Sequence, residues 1–348
     1  MLIVWGSRGD LQPILALALG LKKVGRKVLV FATPPATTMI KDAGIECIEA
    51  TENMSMVFEE IFGKFDLSDR SCSGIVKLAK GAMAFLNSQR YVATQTTDMR
   101  SALAAAKKFQ PDLVVVPNIM YGHMVSIGEA LRVPVVTFDM QINHPTSELP
   151  PFTMEVGKVP TCMNGYIYSL KSRAYPKTVK PKFEIMRDIC GLPMDTYTDG
   201  SPFQIWPHEL PQFCACSPAF IPQPKEWPAS KVMTGWMFHQ GGRVGSTMSK
   251  LQAFLKAHTP VYVGFGSMKG NPDFCRNITT FAITGLKLAG VKGVLLGGWA
   301  GLTREALDVS TEDGRHLHAW AVDNVMEVES CPHDWLFPQC AAVVHHGG

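Results

Sequence analysis

The chain opens on an apolar run, Leu2-Ile3-Val4-Trp5, that breaks at Gly6-Ser7-Arg8-Gly9-Asp10-Leu11-Gln12-Pro13. Apolar residues then recur at helical spacing as Ile14, Leu15, Leu17, Ala18 and Leu21. An unbroken apolar run ending in glycine reads as a strand covered on both faces, as in parallel sheets. Pro13 is placed by this reading in the first turn of the following helix, where its missing N–H costs nothing. The segment is therefore strand, tight glycine turn, helix, with the partly positive helix N-terminus above the sheet. Asp10 falls at the carboxyl end of a strand, where open α/β sheets bind ligands. It is open to two readings, a helix cap or a reacting carboxylate.

The same rhythm repeats. Val28–Phe31 and Ile45–Ile48 read as further strands separated by a helix ending near Ala43-Gly44, which predicts a doubly wound parallel sheet. Residues 52–109 are mostly helical in pattern, with Ser71-Cys72-Ser73-Gly74 as a break. Leu113–Val116, a helix from Tyr121 to Leu131 and a strand over Pro134–Phe138 follow. A proline-rich loop covers His144–Pro151, a basic helix Asn164–Ile189, and short strands the Pro- and Trp-rich stretch from Pro202 to Trp236. Gly-rich Phe238–Arg243 reads as a linker. Beyond it come strands at Val261–Phe265, Gly293–Leu296, His316–Ala319 and Ala341–Val344, with a helix reaching Leu288.

At 348 residues the chain is long for one core, and the break in rhythm divides it into 1–237 and 238–348. A net charge of +3 with no basic run gives nucleic acid no electrostatic footprint. No apolar stretch is long enough to span a bilayer, and the first residues lack a signal-peptide pattern. Nine scattered cysteines without a CxxC pair predict neither a zinc knuckle nor a disulfide framework, so a reducing, cytoplasmic setting is expected.

Three glycine turns follow predicted strands: Gly6–Gly9, Gly264-Phe265-Gly266-Ser267, and His345-His346-Gly347-Gly348. Such turns aim backbone N–H groups at an anion. None matches a dinucleotide or P-loop fingerprint. Two sheets carrying them predict a small-molecule cleft between domains. His333, between Pro332 and Asp334, reads first as a surface-turn histidine when taken alone. The His345-His346 pair, following a strand taken as buried, needs a partner for its desolvated rings. A metal is one candidate, but adjacent residues of an extended segment point apart and no third ligand has suitable spacing. Trp299 and Trp335 read as core or as base-stacking residues. The Met and Phe residues between 54 and 163 read as amphipathic core or as an apolar acceptor lining.

Taken together, GSRGDLQP, PDLVVVPN with GHMVSIGEAL, CSPAFIPQPKEWP, PVYVGFGSM, GGWAGL and CPHDWLFPQCAAVVHHGG span the chain in order. In that set the chain resembles the two-domain GT-B glycosyltransferases of family 28, most closely the UDP-glucose:sterol 3β-glucosyltransferases. The resemblance implies an α/β protein of two Rossmann-like doubly wound parallel-sheet domains facing a cleft, the second incomplete. Residues 1–237 would bind the acceptor and 238–348 the nucleotide sugar. It implies an inverting transfer of glucose from UDP-glucose to the hydroxyl of a sterol or similar lipid. A polyketide- or glycopeptide-type acceptor and an inactive fragment are the alternatives. Asp10 corresponds to the residue that serves as general base or sits beside the reacting hydroxyl, and it is counted with the donor-binding residues as well. Ser7 and Arg8 correspond to donor contacts, Arg8 offsetting diphosphate charge. Ser267 borders the phosphates, and Cys331 and His333 match the uracil and ribose segment. His345, His346, Gly347 and Gly348 match the diphosphate cradle. The family's pattern continues past HHGG, so the chain is expected to continue there too. UDP-glucose is a co-substrate, and no metal or other cofactor is expected, since no Asp-x-Asp triplet occurs. A lipid acceptor implies peripheral membrane contact, which the small charge assists little. No oligomeric state is implied.

Overall fold

The computed structural model describes residues 1–35, 37–62, 77, 80–82, 84–117, 122–142, 144–150, 160–194, 210–239, 248–266, 272–298, 301–329 and 331–345, with the backbone alone over 170–179. The predicted break at Ser71–Gly74, Trp299, and most of the predicted linker lie outside these residues. In chain order the elements are β1 (Leu2–Val4), α1 (Arg8–Lys23), β2 (Leu29–Ala32), α2 (Thr38–Asp42), β3 (Glu46–Glu49), α3 (Met54–Phe62) and α4 (Gln89–Phe109). Then come β4 (Val114–Pro117), α5 (Ser126–Leu131), β5 (Val135–Asp139), α6 (Asn164–Cys190), β6 (Gln212–Cys214) and β7 (Lys231–Met233). The remainder are α7 (Met248–Ala257), β8 (Val261–Gly264), α8 (Pro272–Leu288), β9 (Gly293–Leu296), α9 (Glu312–Asn324), β10 (Val325–Val328), α10 (His333–Leu336) and β11 (Ala342–Val344).

They form two compact units: Met1–Met54 with Met83–His239, and Ser55–Ala82 with Gln240–Gly348. The first holds a seven-stranded sheet in the order β3-β2-β1-β4-β5-β6-β7, parallel throughout. Alternate residues of β1 and β2 enter two cores. Ile3, Leu29 and Phe31 pack with Met99, Ala102 and Ala106 of α4 and Met186 of α6. Leu2, Val4, Val30 and Ala32 pack with Leu11, Ile14, Leu15 and Ala18 of α1. Because successive strand side chains point to opposite faces, a sheet covered on both sides requires apolar residues at every position.

The second unit holds a parallel four-stranded sheet, β10-β9-β8-β11. It too is covered on both faces: Val263 and Leu295 pack with Ile283 and Leu286 of α8, Tyr262 and Leu296 with Leu251 and Leu255 of α7.

Three expectations are corrected. His316–Ala319 is no strand but the middle of α9, and the strand is β10. Thr311 caps this helix by accepting the Gly314 N–H, Glu312 and Asp313 fill its first turn, and Leu317 and Ala321 are its buried i, i+4 pair. Apolar alternation over four residues was too short a window to separate the two periods. Helix α1 begins at Arg8, so Pro13 lies inside it and Asp10 lies in the first helical turn instead of a loop. The carbonyl that Pro13 cannot serve belongs to Gly9, an exposed residue. Finally, β11 is expected to be buried, but Ala342 and Val344 in it are exposed, as is His345 after it.

Candidate active site

In the first unit the chemistry gathers where β1 ends. Ser7 takes extended backbone angles (φ −90°, ψ −170°) as the N-cap of α1. Its backbone N–H donates to Asp10 Oδ2 at 2.7 Å and its hydroxyl to the same oxygen at 3.3 Å. Its carbonyl accepts the backbone N–H groups of Asp10 at 3.0 Å and Leu11 at 3.1 Å. The carboxylate thus folds back over the turn, which requires glycine at position 6. Gly6 has φ +143°, and a Cβ there would lie 2.1 Å from Asp10 Oδ2 and 2.5 Å from Asp10 Cβ. Burial pushes the Asp10 carboxyl above the ordinary aspartate range, while the Ser7 hydrogen bonds pull it back. Asp10 is at once a helix cap and a carboxylate of increased basicity. The two sequence readings are compatible.

Arg8 stands half-exposed in the same turn. Gly6 is held by Thr33, a fully buried residue just past β2. The Thr33 hydroxyl accepts the Gly6 N–H at 3.0 Å and donates to the Gly6 carbonyl at 2.9 Å.

Beside this turn lies a buried polar cluster that the sequence did not reveal. Glu52, past the end of β3, accepts the indole N–H of Trp5 at 2.7 Å and the side-chain amide of Gln95 at 2.6 Å, both through Oε2. Asp98 accepts the backbone N–H groups of Thr51 at 2.6 Å and Glu52 at 3.3 Å. The Lys182 ammonium sits 4.6 Å from the Tyr91 ring centre. Burial raises the Glu52 carboxyl to about 7, the Trp5 bond partly opposing it. Burial lowers Lys182 to about 8 and, with the Lys182 charge, His123 to about 3. At neutral pH the fully buried His123 is therefore an uncharged imidazole. The available signal was the spacing of Tyr91, Gln95 and Asp98. They fall on one face of α4 together with apolar Ala102, an odd place for polar groups on an amphipathic helix.

In the second unit, His333 opens α10, its ring stacked on Phe337 at 4.6 Å and 13°. The Tyr262 hydroxyl of β8 meets His333 Nε2 at 3.3 Å. Cys331, two residues earlier, is buried. β8 and β11 run parallel with Val263 opposite Val344, which brings exposed His345 to the sheet end where Gly264, Phe265 and Gly266 leave β8. Gly266 has φ +59°, as the predicted turn requires. Ser267, His346, Gly347 and Gly348 lie outside the described residues. Trp335 packs against the apolar core under the sheet. Among the described residues no group of three or more His, Cys, Asp or Glu is placed to hold a metal ion, and no helix is long and apolar enough to cross a membrane.

The fold is that of the GT-B glycosyltransferases. Solved structures similar to the whole chain include the glycosyltransferase VinC in complex with dTDP (TM-score 0.55, 17% identity, 75% of that chain covered). The spinosyn rhamnosyltransferase SpnG matches equally (TM-score 0.55, 16% identity, 75% covered). In sequence, the chain is similar over its entire length to a sterol 3-beta-glucosyltransferase of Arabidopsis thaliana, at 29% identity across 53% of that protein. It is likewise similar to the sterol 3-beta-glucosyltransferase of Yarrowia lipolytica, at 26% identity across 22% of that protein. The chain thus spans about half the length of the plant relatives and less of the fungal ones. No family model matches it.

Proposed function

We propose that this chain is the sugar-transferring part of an inverting glycosyltransferase that moves glucose from UDP-glucose to the hydroxyl of a sterol or similar lipid. The observation that carries this reading is the end-to-end similarity to plant and fungal sterol 3-beta-glucosyltransferases. The geometry at β1 supports it. An alcohol attacks an anomeric carbon only if its proton has somewhere to go, and Asp10 is a carboxylate made more basic by burial. In the step proposed, the acceptor O–H proton passes to Asp10 and the acceptor oxygen bonds to the anomeric carbon. The bond to the diphosphate breaks on the opposite side, through an oxocarbenium-like transition state, and UDP leaves with its electrons.

Ser7 and Arg8 take the donor side of that turn, Arg8 offsetting diphosphate charge. Residues 238–348 hold the nucleotide, through Cys331 and His333 at the uracil and ribose and through Ser267, His345, His346, Gly347 and Gly348 at the phosphates. Residues 1–237 hold the acceptor. No metal takes part. The protein acts in the cytoplasm, in peripheral contact with a membrane that supplies the lipid. The solved natural-product glycosyltransferases share the fold at 14–17% identity and favour no particular acceptor.

The test is transfer by the protein at its native length. UDP-glucose and a sterol should yield a β-glucoside, and Asp10→Asn should lower the rate by about 100-fold or more. Undiminished turnover in that variant removes Asp10 as the base, and transfer to polyketides with none to sterols replaces the acceptor.

A further inference from the structure

Three consecutive residues at the end of β1 are each held by a different side chain: Trp5 by Glu52, Gly6 by Thr33 and Ser7 by Asp10. The middle contact differs in kind. The Thr33 hydroxyl bonds to both polar groups of one residue, accepting from the Gly6 N–H and donating to the Gly6 carbonyl. Its own side chain is fully buried at the exit of β2, the strand that pairs with β1. With both Gly6 groups engaged, neither flanking peptide can rotate without breaking a buried hydrogen bond. The peptide joining Gly6 to Ser7 carries the Ser7 N–H that meets Asp10 Oδ2 at 2.7 Å, and the Asp10 carboxylate occupies the space that a Cβ on Gly6 would fill.

We infer that Thr33 is a positioning residue for sugar transfer: by clamping Gly6 it fixes the direction of the Ser7 N–H and so the place of the Asp10 carboxylate. This rests on the reading of Asp10 as the base. Thr33 touches neither substrate. It acts on the turn, and the register of β2 against β1 sets its distance. Glu52 supports the same turn one residue earlier, but through the Trp5 indole, a side chain, where Thr33 bonds the backbone itself. The backbone direction is therefore Thr33's contribution.

The test compares Thr33→Val, which keeps the shape and removes the hydroxyl, with Thr33→Ser, which keeps the hydroxyl, in the protein at its native length. Thr33→Val should lower kcat about 10- to 100-fold, the cost of a reacting group misplaced by about an ångström. KM for donor and acceptor should stay within about threefold. Losing the aligned Ser7 donor should also move the Asp10 titration, followed by its carboxyl ¹³C shift, and the acid limb of the kcat profile to higher pH. Thr33→Ser should restore both. Should Thr33→Val not fold, Thr33→Ala removes the same hydroxyl and is judged by the same criteria. Full kcat with an unmoved acid limb in the hydroxyl-less variant overturns the inference while Asp10→Asn remains inactive. A rate loss that Thr33→Ser does not repair, or one without movement of the Asp10 titration, overturns it too by showing a merely structural role. An active Asp10→Asn instead removes the reading on which it rests.

Discussion

Trp5 donates its indole N–H to Glu52 Oε2 at 2.7 Å across 47 positions of sequence, and this bond closes a buried polar cluster against the turn that carries Asp10. Glu52 is 3% exposed, so its charge state is a property of the fold.

That charge state makes stability depend on pH. Burial raises the folded-state value of Glu52 from an ordinary 4.5 to about 7. Between those values the folded protein holds a proton that the unfolded chain has released. The contribution is therefore complete below about 4.5 and lost as the pH rises through 7. Urea melts should show the Glu52 share of the stability falling by roughly 2–3 kcal/mol from pH 5 to pH 7. That share is read as wild type minus Glu52→Gln, which imitates the protonated carboxyl. His123, lowered by burial to about 3, contributes in the opposite sense in both proteins. An equal slope in the variant would assign it to another group.

Gly6→Ala should be as damaging to transfer as loss of Asp10 itself. The added methyl would stand 2.1 Å from Asp10 Oδ2 and 2.5 Å from Asp10 Cβ, so turning the carboxylate away does not relieve the clash. A destabilisation of about 1–3 kcal/mol is expected from the positive φ alone. Thermal unfolding and initial rates, measured together, separate the two effects. A folded and fully active Gly6→Ala would contradict the geometry of the turn.

Tyr262→Phe removes the hydroxyl that meets His333 Nε2 at 3.3 Å and keeps the ring against Phe337. On the proposal that His333 holds the donor, UDP affinity by titration calorimetry should fall about 3- to 10-fold, with less than about 1 kcal/mol of stability lost. Gly264→Ala should have the same consequence from the other side, because a Cβ there would stand 2.1 Å from the Tyr262 hydroxyl.

Glu129→Ala should destabilise the first unit by about 3 kcal/mol. Arg187 has a side chain only 1% exposed and pairs with Glu129 Oε2 at 2.9 Å. It also donates to the Pro193 carbonyl beyond the end of α6. Arg187→Lys should not preserve stability, since an ammonium lacks the planar fork that reaches both partners. Urea midpoints of the two variants check this.

The parallel sheets were legible because they are written in short-range terms. Leu29–Ala32, Val114–Pro117 and Gly293–Leu296 are runs of apolar residues, and no other common element needs such residues on both faces at once. The helix over Asn164–Cys190 was legible for its length and periodicity. Reading failed where two periods fit one window, as at His316–Ala319, and where a start signal was misplaced. Pro13 pointed to a helix beginning beside it, whereas the Ser7 and Asp10 pair starts α1 five residues earlier.

By itself, then, the sequence determined the class of fold, the turn after the first strand and the residues of that turn with chemistry to offer. Those are consequences of local sterics and of hydrophobic period, which act over a few residues. The tertiary structure decided what surrounds the turn. Thr33 lies 27 residues from Gly6, and Glu52 lies 47 from Trp5. Only the pairing of β1 with β2, and of β2 with β3, brings these side chains together. Neither residue belongs to a motif. Both act through hydrogen bonds whose partners become neighbours only when strand ends are aligned, and the burial that raises Glu52 and Asp10 exists only once α1, α4 and α6 cover the sheet.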